Sequence, residues 1–230
     1  MEMIAWARNE VLNEIRHESY NAFQYVLWID LDAKGYSIKG IMKALERRDE
    51  WDAVFANGLE GDLSSYYDKY ALRKLPKEGL LSLGPEHLGE YWWQKALPQR
   101  YTFNSKSDTL IPVLSAYAGM GLYNKQLFDN ISYSSTVTED MEKYYSIHWK
   151  EITAALPKEA LPLLNDKSSA WLYSESNCGG KVSSHIKNLF WKFNSGYIGS
   201  VVVCEHVSLH VSMTLAGNRL FIYTPMVFHW

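Results

Sequence analysis

The sequence predicts an α/β fold whose central sheet is mixed and mainly parallel. Residues Tyr25–Ile29 (YVLWI) form a short apolar run rich in β-formers, which is typical of a central strand buried on both faces. A helical pattern capped by Ser37 follows and extends to about Arg47, and residues 51–56 (WDAVFA) are again strand-like. Because strand, helix and strand follow each other so closely, they predict a βαβ unit with parallel strands.

The composition indicates one globular domain spanning residues 1–230. The chain is 47% hydrophobic with a formal net charge of −3, so it can bury a core and shows no basic stripe for nucleic acid. Cys178 and Cys204 are expected to be free thiols in a reducing compartment. Neither a signal peptide nor a run of 18 apolar residues is present, which predicts a cytoplasmic protein without a membrane span. Abundant aromatic residues favour a carbohydrate or nucleotide ligand slightly.

Hydrophobic periodicity and turn residues predict the remaining elements. An amphipathic helix over residues 3–16 would place Ile4, Val11, Leu12 and Ile15 on one side. The other predicted elements are helices at 85–97 and 138–156, strands at 111–117 and 201–203, a helix reaching Ala216 before Gly217, and the final strand RLFIYTP. Residues 157–180 are the best candidate for an irregular insertion.

Two carboxylates stand where the first predicted strand ends. Asp30 and Asp32 form a DxD pattern, and ligands bind at this edge of open α/β sheets. Paired carboxylates suit a hard divalent cation such as Mn²⁺ or Mg²⁺. In the alternative interpretation, one aspartate caps the following turn and the other is solvated.

An ordered series of motifs resembles the nucleotide-sugar glycosyltransferases of GT-A fold. The series is WARNEVL, YVLWIDLD, WDAVFANG, YYDKYALR, PVLSAYAGMGLY and CEHVSLH. It is most similar to capsule-type mannosyltransferase-like proteins and to glycosyltransferase domains of large algal viruses. The resemblance covers about residues 4–128 and 196–230 and leaves 129–195 as a family-specific insertion. It implies a Rossmann-type domain that transfers a sugar from a UDP- or GDP-type donor to a carbohydrate or glycan acceptor.

The resemblance also implies a donor and metal site. Asp30 and Asp32 match the DxD motif, with Asp32 as the direct ligand of Mn²⁺ or Mg²⁺ and Asp30 facing the donor ribose or sugar. Arg8 and Asn9 match an RN motif near the donor, where an arginine can meet phosphate or a carboxylate. His229 matches a late histidine that can complete the metal site.

The resemblance also implies acceptor-side roles for Asp68 and Arg73 and sugar contacts for Ala118 and Gly119. Asp68 and Arg73 would shape the acceptor pocket, or else form an ion pair on a surface turn. Ala118 and Gly119 match a stretch of sugar contacts, where small residues allow close approach of a ligand. A tight bend is the alternative interpretation of that stretch.

Glu205 and His206 match the acidic motif behind the acceptor, where a base takes the acceptor proton. Glu205 could equally be a carboxylate that favours the start of a helix. His206 and His210 are four residues apart and share a helix face, as in some zinc sites, although HExxH is not present.

One departure from the family pattern leaves other functions open. Met1 precedes Arg8 by seven residues, so the usual first βα unit is expected to be missing or supplied by another chain. A degenerate glycosyltransferase domain would bind sugar or a partner without turnover. A haloacid-dehalogenase-like phosphatase would need DxDx[TV], but Lys34 occupies the fifth position.

Overall fold

A seven-stranded mixed sheet forms the framework of the fold, with helices on both faces. The computed structural model describes residues 2–60, 65–88, 103–156, 190–192, 198–200 and 203–230. The strands are β1 Tyr25–Ile29, β2 Gly35–Tyr36, β3 Ala53–Glu60, β4 Ser65–Tyr66, β5 Leu110–Pro112, β6 Met120–Asn124, β7 Phe190–Lys192, β8 Ile198–Ser200 and β9 Leu220–His229. The helices are α1 Glu2–Ile15, α2 Ile38–Glu46, α3 Pro85–Leu88, α4 Glu139–Ala154 and α5 Glu205–Leu215.

The sheet confirms the α/β class and mixed pairing, but the prediction that it is mainly parallel is wrong. Its order is β1-β6-β3-β9-β2, with β4 beside β3 and β5 beside β9. Among the pairs that the structure describes, β3–β9 is parallel and the others in this sheet are antiparallel. Strand β6 lies antiparallel between β1 and β3, so the two strands of the predicted βαβ unit point the same way without pairing.

Strand β1 lies at an edge of the sheet, so the prediction of a central strand is also wrong. Within the described ranges, its hydrogen-bonded partner is β6 alone. Leu27 is 41% exposed, whereas Val26 and Trp28 pack into one core cluster and Tyr25 and Ile29 into another. The apolar run therefore reflects contacts on both faces of an edge strand rather than complete burial.

Helix α1 forms as predicted but buries a different face. Ala5 and Leu12 are buried, whereas Ile4 and Val11 remain about half exposed. Polar contacts also hold the helix against the 128–133 segment, because Arg16 donates to the Phe128 and Ile131 carbonyls. Helical spacing identified the element, and these contacts set its rotation.

Capping residues confirm several predicted boundaries. The Ser37 hydroxyl accepts the Gly40 N–H at the start of α2, and Thr138 caps α4 through Met141 N–H. After α5, Gly217 has φ +88°, a left-handed conformation that suits glycine and ends the helix.

Other predicted segments shift or fall outside the described residues. The strand expected at 111–117 is confined to β5, and AGMGLY instead leads into β6. The helix from Pro85 is described only to Leu88, and most of the 201–203 strand, Cys178 and the 157–180 segment lie outside the described ranges. The described part of the 129–195 segment contributes buried Met141 and Tyr145. No described helix is long and apolar enough to cross a membrane.

Candidate functional site

Arg8 lies at the centre of a polar cluster at the carboxyl end of β1. Its Nη2 is 3.5 Å from Asp30 Oδ1, and its Nε is 3.2 Å from Glu205 Oε1. Side-chain exposure is 15% for Arg8, 26% for Asp30 and 6% for Glu205. The cluster therefore joins α1, the end of β1 and the start of α5, three segments that are distant in sequence.

Three aromatic rings surround the Arg8 guanidinium. Its central carbon lies 5.8 Å from the ring centroid of Trp28, 5.3 Å from Tyr117 and 5.7 Å from Tyr133. Such rings attract a cation through their electron-rich faces. Burial opposes the charge on Arg8, but the neighbouring tyrosines and carboxylates outweigh burial and raise its pKa. Arg8 is thus held as a cation in a partly buried box.

Asn9 positions this box rather than opening towards a ligand. Its side-chain amide donates to the Tyr133 carbonyl at 3.0 Å and accepts from the Tyr133 N–H at 2.8 Å. Both polar groups of the amide are used in this reciprocal pair. Asn9 therefore fixes Tyr133 beside Arg8.

The first aspartate of the DxD pattern is tied to the cluster, and the second is free in the turn. Tyr117 donates its hydroxyl to Asp30 Oδ1 at 3.1 Å, while Asp32 is exposed. Burial raises the pKa of Asp30, although Arg8 and the Tyr117 hydrogen bond oppose the rise. Asp30 is therefore held by contacts within the protein, whereas Asp32 faces solvent.

Gly119 forms the tight bend that brings Asp30 into place. It has φ +83°, and an added Cβ would lie 2.2 Å from the Phe228 ring. Its carbonyl accepts the Asp30 N–H at 2.8 Å. Ala118 is fully buried, and a Cβ on Gly58 would lie 2.2 Å from the Ala118 Cβ. Ala118 and Gly119 therefore support the DxD turn. Their geometry is that of the tight bend given above as the alternative to a stretch of sugar contacts.

Glu205 and His206 begin α5 inside the cluster. Cys204, a buried free thiol, lies with Sγ 3.8 Å from Glu205 Oε2. The His206 ring stacks on Tyr117 at 3.8 Å between centroids, and neither ring nitrogen has a hydrogen-bond partner in the described structure. Burial lowers the pKa of His206 well below its usual value, so the ring is neutral and a weak proton acceptor.

His210 has no free nitrogen for a zinc ion. Its Nδ1 is 3.0 Å from the Ser115 hydroxyl and its Nε2 is 3.1 Å from the Tyr123 hydroxyl. Burial lowers the pKa of His210 to about 3. His206 and His210 do share a helix face, with ring centroids 5.6 Å apart, but this pair belongs to the buried interior.

Asp68 is a carboxyl group on which the charge of Glu205 acts. It follows β4, is partly buried, and accepts the Ala71 N–H at 3.0 Å. Burial raises the pKa of Asp68 to about 6, and the charge of Glu205 adds to the rise. A carboxylate with such a pKa is suited to accepting a proton at physiological pH.

Arg73 is buried in an internal ion pair rather than exposed to an acceptor. Its Nε and Nη2 donate to the two carboxylate oxygens of Glu86 at 3.0 and 2.7 Å. Its Nη1 donates to the Tyr70 and Leu72 carbonyls. Both ionic side chains are fully buried, so the surface-turn interpretation is wrong and Arg73 has no face left for a sugar.

A metal at this edge would find few protein ligands. The His229 carbonyl accepts the Lys34 N–H, and His229 pairs with Gly35, so His229 lies against the turn that carries Asp32. Across the described ranges, no three or more His, Cys, Asp or Glu side chains are grouped to hold a metal. An Mg²⁺ ion that also binds phosphate oxygens needs only one or two protein carboxylates, and Asp32 is the exposed carboxylate at this turn.

Comparisons with family models, curated proteins and solved structures found no match to this chain. The glycosyltransferase resemblance therefore remains an expectation that rests on the motifs. The resemblance placed Arg8 near the DxD carboxylates and Glu205 on the acceptor side, and it did not predict the Arg8–Glu205 contact or the aromatic box. Period-two alternation could have placed Trp28 beside Asp30, whereas Tyr133 is joined to α1 by tertiary contacts alone.

Proposed function

We propose that this protein is a metal-dependent glycosyltransferase that moves a sugar from a nucleotide-diphosphate donor to a carbohydrate acceptor. The observation that carries the proposal is an excess of carboxylates around one arginine. Asp30 and Glu205 lie at Arg8, the charge of Asp32 acts on Asp30, and the charge of Glu205 acts on Asp68. A diphosphate is repelled by such a site unless a divalent cation accompanies it.

The chain's own residues would bind and orient the donor. Asp32 is exposed and suited to hold the cation, with His229 against the same turn. Bound Mn²⁺ or Mg²⁺ would neutralise charge that develops on the leaving diphosphate. Arg8 keeps its charge within the aromatic box and fixes Asp30 in the orientation that faces the donor.

We infer that Asp68, rather than Glu205, accepts the hydroxyl proton if the reaction inverts. Glu205 is held by Arg8 and is almost fully buried, whereas Asp68 has no contact with Arg8 and burial raises its pKa to about 6. The role that the resemblance gives to Glu205 is therefore better described as positioning Arg8.

Calorimetric titration with UDP and with GDP, each with and without Mn²⁺, tests the proposal. Wild-type protein is expected to bind either UDP or GDP, and to do so only in the presence of Mn²⁺. Asp32→Ala is expected to abolish that binding. Asp49→Ala is the matched control, because Asp49 is exposed and precedes β3 at the opposite end of the sheet. Failure of both nucleotides to bind under every metal condition would contradict the proposal.

A further inference from the structure

A cleft lies at the end of the β1–β6 pair away from the Arg8 cluster. Tyr25 pairs with Asn124 at that end, whereas Ile29 pairs with Met120 beside the Asp30 turn. Four residue steps along a strand separate the two ends by roughly 13 Å. The cleft has a volume of about 440 Å³, within the range of small-molecule sites.

Carboxamide side chains dominate the cleft wall. The four are Asn21, Gln24, Asn124 and Gln126. Each carboxamide offers two N–H donors and a carbonyl acceptor. The amides of Gln24, Asn124 and Gln126 make no hydrogen bond to the part of the chain that the structure describes. They are therefore available to a ligand that both donates and accepts hydrogen bonds, as a sugar hydroxyl does.

An exposed aromatic ring completes the recognition surface. Phe23 lines the cleft and is 62% exposed. An apolar ring in that position exposes a flat face, and the C–H face of a pyranose can pack on it while its hydroxyls reach the amides.

The charges in the cleft argue for a neutral ligand. Lys125 and Asp129 both line it and have opposite signs. The Lys125 ammonium donates to the Tyr20 carbonyl at 2.9 Å and to Asn21 Oδ1 at 3.2 Å, so it is directed at the protein. The same bonds hold the 20–21 turn against Lys125, the residue that follows β6, which preorganises the cleft.

We propose that the cleft between Phe23 and Gln126 binds a neutral carbohydrate, separately from the Asp30 end of the sheet. This site is independent of the proposed transferase activity, because none of its residues belongs to the Arg8 cluster. Its wall is rich in carboxamides, and the apolar groove beside it, lined by Val11, Ile15 and Val26, shares Phe23 with it, so a peptide is the competing ligand that the test must exclude.

Saturation-transfer NMR at millimolar ligand tests the proposal on the full chain. The probes are methyl α-mannoside, methyl α-glucoside, methyl β-galactoside and N-acetylglucosamine, with glycerol and a neutral alanine tetrapeptide as controls. At least one sugar is expected to show transfer, and Phe23→Ala is expected to weaken its binding about tenfold. Gln24→Ala should weaken it as well, whereas Ile147→Ala, an equally exposed position on α4, should not.

Several outcomes would overturn the carbohydrate site. These are no transfer to any of the four sugars, transfer that Phe23→Ala leaves unchanged, or equal transfer to glycerol or the tetrapeptide. Loss of transfer in Asp32→Ala would assign the sugar to the Asp30 end instead. Failure of nucleotide binding leaves this test unaffected, so the two proposals can fail separately.

Discussion

Two arginines in this protein are paired with carboxylates, and their surroundings differ in exposure and in hydrogen bonding. Arg73 and Glu86 are fully buried, with every guanidinium nitrogen donating to an acceptor. Arg8 is partly exposed, and its nearest carboxylate oxygens, on Asp30 and Glu205, are 3.5 and 3.2 Å away. The Nε–H of Arg8 has no aligned acceptor in the described structure.

The difference separates a structural ion pair from a candidate functional one. A fully buried guanidinium whose three nitrogens all donate within the protein has no exposed face for a ligand. Long contacts, partial exposure and an unaligned donor leave Arg8 able to change partners when an anion or a cation arrives. The same residue type therefore supports the fold at one site and is available for chemistry at the other.

The largest expected effect is a loss of free energy of unfolding when the buried Arg73–Glu86 pair is broken. Glu86→Gln leaves the Arg73 charge buried without a counter-charge, and the free energy of unfolding is expected to fall by about 3–5 kcal/mol. Urea unfolding followed by circular dichroism measures the loss. Asp49→Asn, at an exposed position, should change the free energy by less than about 0.5 kcal/mol.

Gly84→Ala provides a second variant in the same region. The added Cβ would lie 1.9 Å from Arg73 Nη2 and 2.3 Å from Glu86 Oε2, so the ion pair must move. A loss of stability below about 1 kcal/mol in both variants would contradict the structural role of the pair.

A smaller loss is expected at the other arginine. Arg8→Gln should lower the free energy of unfolding at pH 7 by about 1–3 kcal/mol, because the Arg8 cluster is only partly buried. Without Arg8, the pKa of Asp30 rises further, so the folded state binds a proton more readily than the unfolded state. Stability should therefore recover as the pH falls towards 5, and Glu86→Gln should show no such recovery. Urea unfolding at both pH values measures this, and a pH-independent loss in Arg8→Gln would contradict the comparison.

The smallest expected effect is the pH dependence of stability that Asp68 contributes. The pKa of Asp68 is raised to about 6, so the folded state binds more protons than the unfolded state between about pH 4 and 6. The contribution of Asp68 to stability therefore falls as the pH rises through that window. The free energy of unfolding of Asp68→Asn minus that of wild type should therefore increase by about 1–2 kcal/mol between pH 4 and pH 7.

Thermal or urea unfolding of wild type and Asp68→Asn at matched pH values checks the sign. Because Asn keeps a side-chain oxygen for the Ala71 N–H, the variant removes the titration and retains the turn. A relative stability that is flat with pH, or that falls for the variant, would show that Asp68 is not held in a proton-favouring environment.

Local pattern predicted the elements more reliably than their pairing. Ser37, Thr138 and Gly217 mark helix boundaries because caps and left-handed turns depend on nearby residues. The YVLWI run identified β1, but an edge strand with two covered faces has the same composition as a central strand. No local pattern shows that β6 lies between β1 and β3.

The sequence by itself determined that a strand ends in two aspartates and that Arg8, Asp68 and Glu205 carry the charges available to a site. Tertiary structure decided which of them meet. It placed Arg8 between Asp30 and Glu205, buried Arg73 with Glu86, and left Asp32 in solvent. Charge and spacing are properties of the chain, but burial and distance exist only after segments distant in sequence pack together, and burial and distance set each pKa and the room for a ligand.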